Sequence, residues 1–435
     1  MKESAAKSGA KPRLLYIDCI RGYAVLMVIT SHVTDKFPNL PYPVHRLTVT
    51  GWFGVQLFFL ASCLTLLMSW NFEINKTKSV DVVGFFIRRF FRIAPAYYAA
   101  GVLYYFLLPP KDGFDAWQVV TSMTFINAWT PAWTPTVQTA WTVVPGGWSI
   151  GVEYTFYLVF PLFATWTTSL TRALIGVLAS IVIGVLANYA ALAALSGSYK
   201  PAEVDNFLYF WFLNQMSVFA LGGVLFFILG KMDSLSKLWR AFLQNNATLF
   251  AAGALAAFCA LAYVPLGHRL GAAPYIPASL AISIPLMGLI IALSAGRGLL
   301  VNRYAAAMGR VSFSVYLLHF AILRLFEVFP EELHTHATGI RAIFAFAVGW
   351  IVTVLITYVA SWASYGAIEQ PMMDIGKALI RARRLCLVTI ATGPPNAQGL
   401  ECGSTTNYAT HSGSRIRPAS VSAVSAAKSG RDRTR

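Results

Sequence analysis

The chain is organised around ten mainly apolar stretches, each about 20 residues long, the length a helix needs to cross the hydrocarbon core of a bilayer. Their limits are 14–35, 51–70, 93–110, 145–166, 173–195, 208–230, 247–265, 275–295, 311–329 and 342–363. In lipid every backbone N–H and C=O must be satisfied internally, and unbroken runs of this length achieve that as helices. The expected fold class is an all-α polytopic membrane protein with about ten transmembrane helices. Composition leads to the same place. Hydrophobic residues make up 57% of the chain and charged residues 12%, against about 25% charged in a soluble domain. That shortage of charge excludes a soluble globular enzyme, and the apolar content excludes a disordered chain.

Ten spans put both termini on one side, and the distribution of charge says which. Segments on the N-terminal side hold 20 Lys and Arg, and those on the opposite side hold six. The positive-inside rule makes the first side cytoplasmic, so both termini are expected there. The net charge of +16 is thereby accounted for by membrane topology, and a nucleic-acid partner is not expected. Residues 1–13 read as a cytoplasmic segment and 14–385 as the transmembrane domain. The Ser-, Thr-, Gly- and Arg-rich tail 386–435 is expected to lack structure. The first apolar run carries Asp18 and Arg21, unlike the core of a signal peptide, so it is expected to be retained. Five scattered cysteines have no metal-ligand or disulfide spacing, and the His334–His336 pair is too isolated to hold a metal; none is expected.

Ionisable groups within a span are costly and mark function by default. Asp18, Arg21 and His32 lie in the first stretch, Glu153 in the fourth, His319 and Arg324 in the ninth. Arg21 and His32 are eleven residues apart, three turns plus about 20°, so they share one face and stand about 16 Å apart along the axis. An anionic phosphate resting on Arg21 would leave room for chemistry at His32, a separation of the general length of the pantetheine arm of coenzyme A. Histidine is the usual general base near neutral pH. Arg88, Arg89 and Arg92 form a second cationic cluster, which reads either as ordinary inner-leaflet anchoring or as a phosphate cradle suited to guanidinium forks. Glu153 has two readings, orienting His32 or pairing with an arginine. His319 reads as an interhelical hydrogen-bonding group or as part of a substrate site. The loop 111–144 carries Trp117, Trp129, Trp133 and Trp141, which suits a lipid interface or a sugar-stacking surface.

Six segments occur in an order that resembles acyltransferase family three, the membrane O-acyltransferases of the O-antigen and exopolysaccharide acetylase type. IDCIRGYAVLMVITSH contains Arg21 and His32 in the family's Arg-x10-His pattern. GVQLFFLASCLTL is similar to its FFxxSG segment, RRFFRIAPAYY to its inner arginine motif, and WSIGVEYTFYLVFP, with Trp148, Ser149 and Glu153, to its Trp-Ser-x-x-x-Glu-x-x-Phe-Tyr motif. SFSVYLLH, with Tyr316 and His319, and IEQP at 368–371 complete the series. Three positions depart from it. Cys63 stands where the family usually has glycine, Phe313 where it has tyrosine, and Gln370 where a basic residue is common.

The resemblance implies transfer of an acyl group, usually acetyl, from cytoplasmic acetyl-CoA to a hydroxyl of an exported carbohydrate or glycolipid, in a bacterial inner membrane and in the form without an added soluble domain. It assigns catalysis to His32 with Arg21 and Glu153, and the binding of the coenzyme A phosphates to Arg88, Arg89, Arg92 and Arg21. Trp148, Ser149, Tyr316 and His319 are the expected acceptor-side residues. Ser62, Ser149, Tyr316 or an arginine could supply the oxyanion donor. The competing expectation is a transporter or flippase for an anionic or glycolipid substrate, because many spans with charges at mid-membrane suit that class too.

Overall fold

Every regular element among the described residues is helical, and each of the ten apolar stretches overlaps a helix. The structure, a computed structural model, describes residues 15–109, 115–130, 142–232, 234–264, 278–296, 299–328 and 330–392. Trp133, Trp141, His268, the segment 1–14 and the tail beyond Thr392 lie outside these. The principal helices are α1 (Leu15–Thr34), α2 (Gly54–Thr77), α3 (Val82–Leu107), α4 (Gly147–Trp166), α5 (Leu170–Leu195), α6 (Phe212–Met232), α7 (Ala247–Tyr263), α8 (Ala278–Ala295), α9 (Ser312–Leu323), α10 (Gly339–Ser364) and α11 (Gln370–Thr392). A single π-helical turn, Tyr365–Glu369, joins α10 to α11. The chain divides into two units, Met1–Ala382 and Arg383–Arg435. What is described of the second is the helical end of α11, which runs to Thr392 and so passes the expected boundary at 385.

Length and apolarity alone qualify four helical stretches as membrane-crossing: Tyr42–Thr77, Leu170–Leu195, Glu203–Met232 and Gly339–Cys386. A fifth arises if Arg303–Arg310 and Ser312–Glu327, bent by 78°, count as one span. α1, α3 and α4 are outside this set. They are the helices that carry Asp18, Arg21, His32, the arginine cluster and Glu153. Lining a polar site lowers the very hydropathy by which a span is recognised. α5 and α10 are the opposite case. They turn Leu178, Leu186, Leu355 and Val359 outward, an arrangement suited to hydrocarbon and unsuited to water.

Local sequence sets the helix ends. The Asp81 carboxylate accepts from the Gly84 N–H at the start of α3, and the Ser169 hydroxyl accepts from the Arg172 N–H at the start of α5. Lys78 adopts a left-handed conformation (φ 59°) that closes α2 by donating its N–H to the Ile74 carbonyl.

α1 is the central post. It packs against α2, α9, α10 and the short helix Arg303–Arg310, with Ile20, Val25, Ile29 and Val33 wholly buried. Membrane helices associate through close van der Waals contact, which small residues permit. A Cβ on Gly22 would strike the Ala305 carbonyl oxygen, and one on Gly309 the Asp18 carbonyl oxygen. Backbone therefore meets backbone at this crossing. The cysteine at position 63 is accommodated similarly. It faces Gly222 of α6, where an added Cβ would lie 2.6 Å from the Cys63 Cβ, so the room a glycine would leave on α2 is left on α6 instead.

Candidate active site

Three guanidinium groups and one carboxylate meet at a cavity of about 70 Å³ between α1, α2, α3, α4 and α9. Arg21 comes from α1, Arg89 and Arg92 from α3, and Glu153 from α4. Phe58, Phe59, Ile93, Ile150 and Phe313 supply apolar wall. A low-dielectric wall strengthens each charge interaction inside it. Arg21 is close enough to feel Arg92, Glu153 and Asp18 electrostatically, and its Nη2 donates to Thr65 Oγ1 at 3.2 Å. The Arg89 guanidinium lies 5.6 Å from the ring centres of Phe85 and Tyr157, with its Nε buried and unpartnered. The chain leaves the positive charge in the cavity in excess, which prepares it for an anion.

Glu153 is held by hydroxyls. Its Oε1 accepts from Ser62 of α2 at 2.6 Å and from Tyr157, one turn along α4, at 2.5 Å. Of the two expected roles, neither is met by direct contact: its hydrogen-bond partners are neither His32 nor an arginine. The same wall carries a hydroxyl pair. Ser149 Oγ and Tyr316 OH are 2.7 Å apart, and the Gly146 carbonyl lies 3.1 Å from the first and 3.0 Å from the second. Gly146 makes the turn into α4 at φ 73°, which a side chain would strain.

His32 stands outside the cavity, toward the other end of α1. Its ring centre lies 4.5 Å from Phe320 and 5.3 Å from His319, both on α9. His319 lies 5.7 Å from Tyr316, which lines the cavity. His32 Nδ1 is 3.5 Å from Asp35 Oδ2, and the His32 side chain is 30% exposed. A path of rings thus runs from the arginine cavity through Tyr316 and His319 to His32. The arrangement can hold an anion at one end and move a proton at the other.

The family model of the acyltransferase domain matches residues 14–365. The chain belongs to acyltransferase family three. It is 26% identical over 329 residues to acyltransferase MdmB of Streptomyces mycarofaciens, an alignment that covers 72% of this chain and 79% of that protein. No solved structure matches it significantly.

In this membrane acyltransferase the expected residues separate into two groups. Arg21, Arg89, Arg92, Ser149, Glu153 and Tyr316 line one cavity, and His32 with His319 forms the adjoining pair. Arg88 is drawn elsewhere, donating from Nη2 to Glu73 Oε2 of α2 at 3.1 Å. Trp148 packs among Phe59, Tyr209 and Phe210 rather than on the cavity. Trp129 donates from Nε1 to Thr155 Oγ1 on α4.

Some participants in the acyltransferase site were not selected from sequence. Tyr157 lines the cavity and Thr65 accepts from Arg21 behind it; their signal was helical spacing from Glu153 and Ser62. Glu369 is 3% exposed and accepts a short hydrogen bond from Ser314 of α9. It sits on the π-helical turn, near enough to act on Arg92, and such turns recur at functional sites. Its signal was the Ile368–Pro371 motif itself.

Proposed function

We propose that this acyltransferase moves an acetyl group from cytoplasmic acetyl-CoA to a hydroxyl of an exported or cell-surface glycan or glycolipid. The proposed setting is a bacterial inner membrane, with ten spans and both termini inside. The observation that carries the reading is the excess of guanidinium over carboxylate in the cavity, matched to a donor whose head is polyanionic. The distribution of Lys and Arg along the chain supports the cytoplasmic entry of that donor.

Arg89, Arg92 and Arg21 bind the phosphate-bearing end, and Arg88, in its ion pair with Glu73, stands beside the approach. His32 takes the proton of the acceptor hydroxyl as its oxygen attacks the thioester carbonyl. A C–O bond forms, the C–S bond breaks, and the leaving thiolate recovers the proton from His32. The hydroxyls of Tyr316 and Ser149 are the donors best placed on the cavity wall to take up the oxyanion charge.

The test uses membranes of the source cells carrying the wild type or His32→Ala, supplied with acetyl-labelled coenzyme A. Surface glycan and glycolipid fractions are then extracted. Label that depends on His32 supports the reading and identifies the acceptor by fraction. Equal labelling with His32→Ala removes His32 as the base. Failure of the wild type to bind acetyl-CoA at all turns the reading toward transport.

A further inference from the structure

The short helix Lys237–Asn245, between α6 and α7, has none of its nine residues buried. Leu238 is 84% exposed, Trp239 61% and Phe242 49%. At about 100° per residue these three fall within roughly 100° of arc. Lys237, Arg240 and Gln244 fall within about 60° centred on the opposite side, and the helix holds no acidic residue. The Ser236 hydroxyl starts it by accepting from the Trp239 N–H at 3.4 Å. Three large apolar side chains on so short a helix form a patch unsuited to water.

What covers the patch follows from what it joins. The helix packs against α7 and α8, and that packing leaves the three side chains outward. Trp239 and Phe242 meet edge to face, 5.8 Å between ring centres, and Phe242 lies 6.1 Å from Phe250 of α7. Leu249, beside Phe250, is 69% exposed. The apolar surface thus continues into α7, one of the ten apolar stretches, and the medium that covers α7 covers the short helix too. Its opposite side says which part of the bilayer this is. Cations facing away from buried apolar groups place a helix at the level of the phosphates, and an indole suits the same depth. Residues 231–246 belong to the side rich in Lys and Arg, whose leaflet carries the anionic phospholipid.

We propose that the helix Lys237–Asn245 is a docking surface for anionic phospholipid. It lies in the interface of the cytoplasmic leaflet. Leu238, Trp239 and Phe242 enter the acyl chains, and Lys237 and Arg240 hold the phosphates of anionic headgroups. The leaflet assigned rests on the topology proposed above; the preference for anionic lipid does not, because it follows from the two cations and the patch behind them.

The test uses the full chain in lipid nanodiscs. The fluorescence of Trp239 is obtained as the difference between the wild type and Trp239→Phe, an exposed and conservative change. Phosphatidylcholine or phosphatidylglycerol with brominated acyl chains, which quench indole on contact, is introduced at equal mole fraction. The expected result is quenching by both lipids, with phosphatidylglycerol associating about fivefold more strongly or better, the factor that one Lys or Arg contributes near an anionic surface. Added salt should shrink that preference. The double variant Lys237→Gln/Arg240→Gln should bring the two lipids toward equality and leave Trp239 quenched. Equal quenching in the wild type, or a preference unchanged in the double variant, overturns the proposal. So does a Trp239 signal that aqueous iodide quenches and neither lipid does, which would give the face to a soluble partner. The two leaflets of the disc are alike and no turnover is measured, so the outcome stands apart from the orientation of the chain and from the acyl-transfer reading.

Discussion

Ser62 of α2 donates its hydroxyl hydrogen to Glu153 of α4 over 2.6 Å, on the same carboxylate oxygen that accepts from Tyr157. Two helices are therefore tied at the one carboxylate in a cavity of guanidiniums. Glu153→Gln keeps an oxygen for both hydroxyls, whereas Glu153→Ala leaves them without an acceptor. The alanine variant is expected to lose about 1–3 kcal/mol of stability, the cost of buried groups left unpaired. The glutamine variant should lose less. Thermal unfolding in detergent, compared across the two, decides it; equal losses would show that the carboxylate charge and not the hydrogen bonds holds the helices.

Arg89 and Arg88 should differ despite being adjacent. Arg89 lines the cavity, whereas Arg88 is held by Glu73. Arg89→Ala is expected to raise the KM for acetyl-CoA by about tenfold or more, as for a charge-assisted hydrogen bond. Arg88→Ala should have the smaller effect on that KM, since its guanidinium is held by the part-buried Glu73 carboxylate and does not line the cavity. Steady-state kinetics with acetyl-CoA varied would reverse this ranking if Arg88 leaves Glu73 to meet the donor.

Tyr316→Phe removes the hydroxyl shared with Ser149 and Gly146 and leaves the ring in place. If that hydroxyl takes up oxyanion charge, kcat falls by about 10²–10³ with little change in either KM. A KM effect alone would make Tyr316 a binding residue only.

Gly309→Ala puts a methyl group onto the Asp18 carbonyl oxygen, and Gly22→Ala one onto that of Ala305. Each must force α1 away from Arg303–Arg310, an overpacking that costs about 1–3 kcal/mol or more. Lower expression and a lower unfolding temperature are expected. Alanine at Gly253, with nothing within 4 Å, is the neutral control.

Much of this site was readable from residue spacing, and its limits are instructive. The interval between Arg21 and His32 fixed their common face, because a continuous helix has only one phase. The arginine cluster was less determinate. Arg92 lies within a turn of both Arg88 and Arg89, so periodicity alone admitted either as its partner at the cavity. Glu73, fifteen positions before Arg88, made the choice. The contact between Ser314 and Glu369 joins positions 55 apart and depends on a π-helical turn with no local signature. Each of the ten apolar stretches meets a helix, but α11 and the short helix Arg303–Arg310 had no such signal, and apolarity became a poor guide in α1, α3 and α4, where function replaces hydrocarbon with charge.

α1 holds Arg21 toward one end and His32 toward the other, and the glycine crossing clamps it by its backbone. A rod so fixed neither slides nor stretches, so it acts as a gauge about 16 Å long. In the proposed reaction a donor is then judged by reach as well as by charge. A free acid or a short thioester anchored at the arginines would stop short of the base, however reactive its carbonyl. One residue inserted between Arg21 and His32 would swing the base by about 100° and advance it about 1.5 Å, turning the scale away from the substrate it measures.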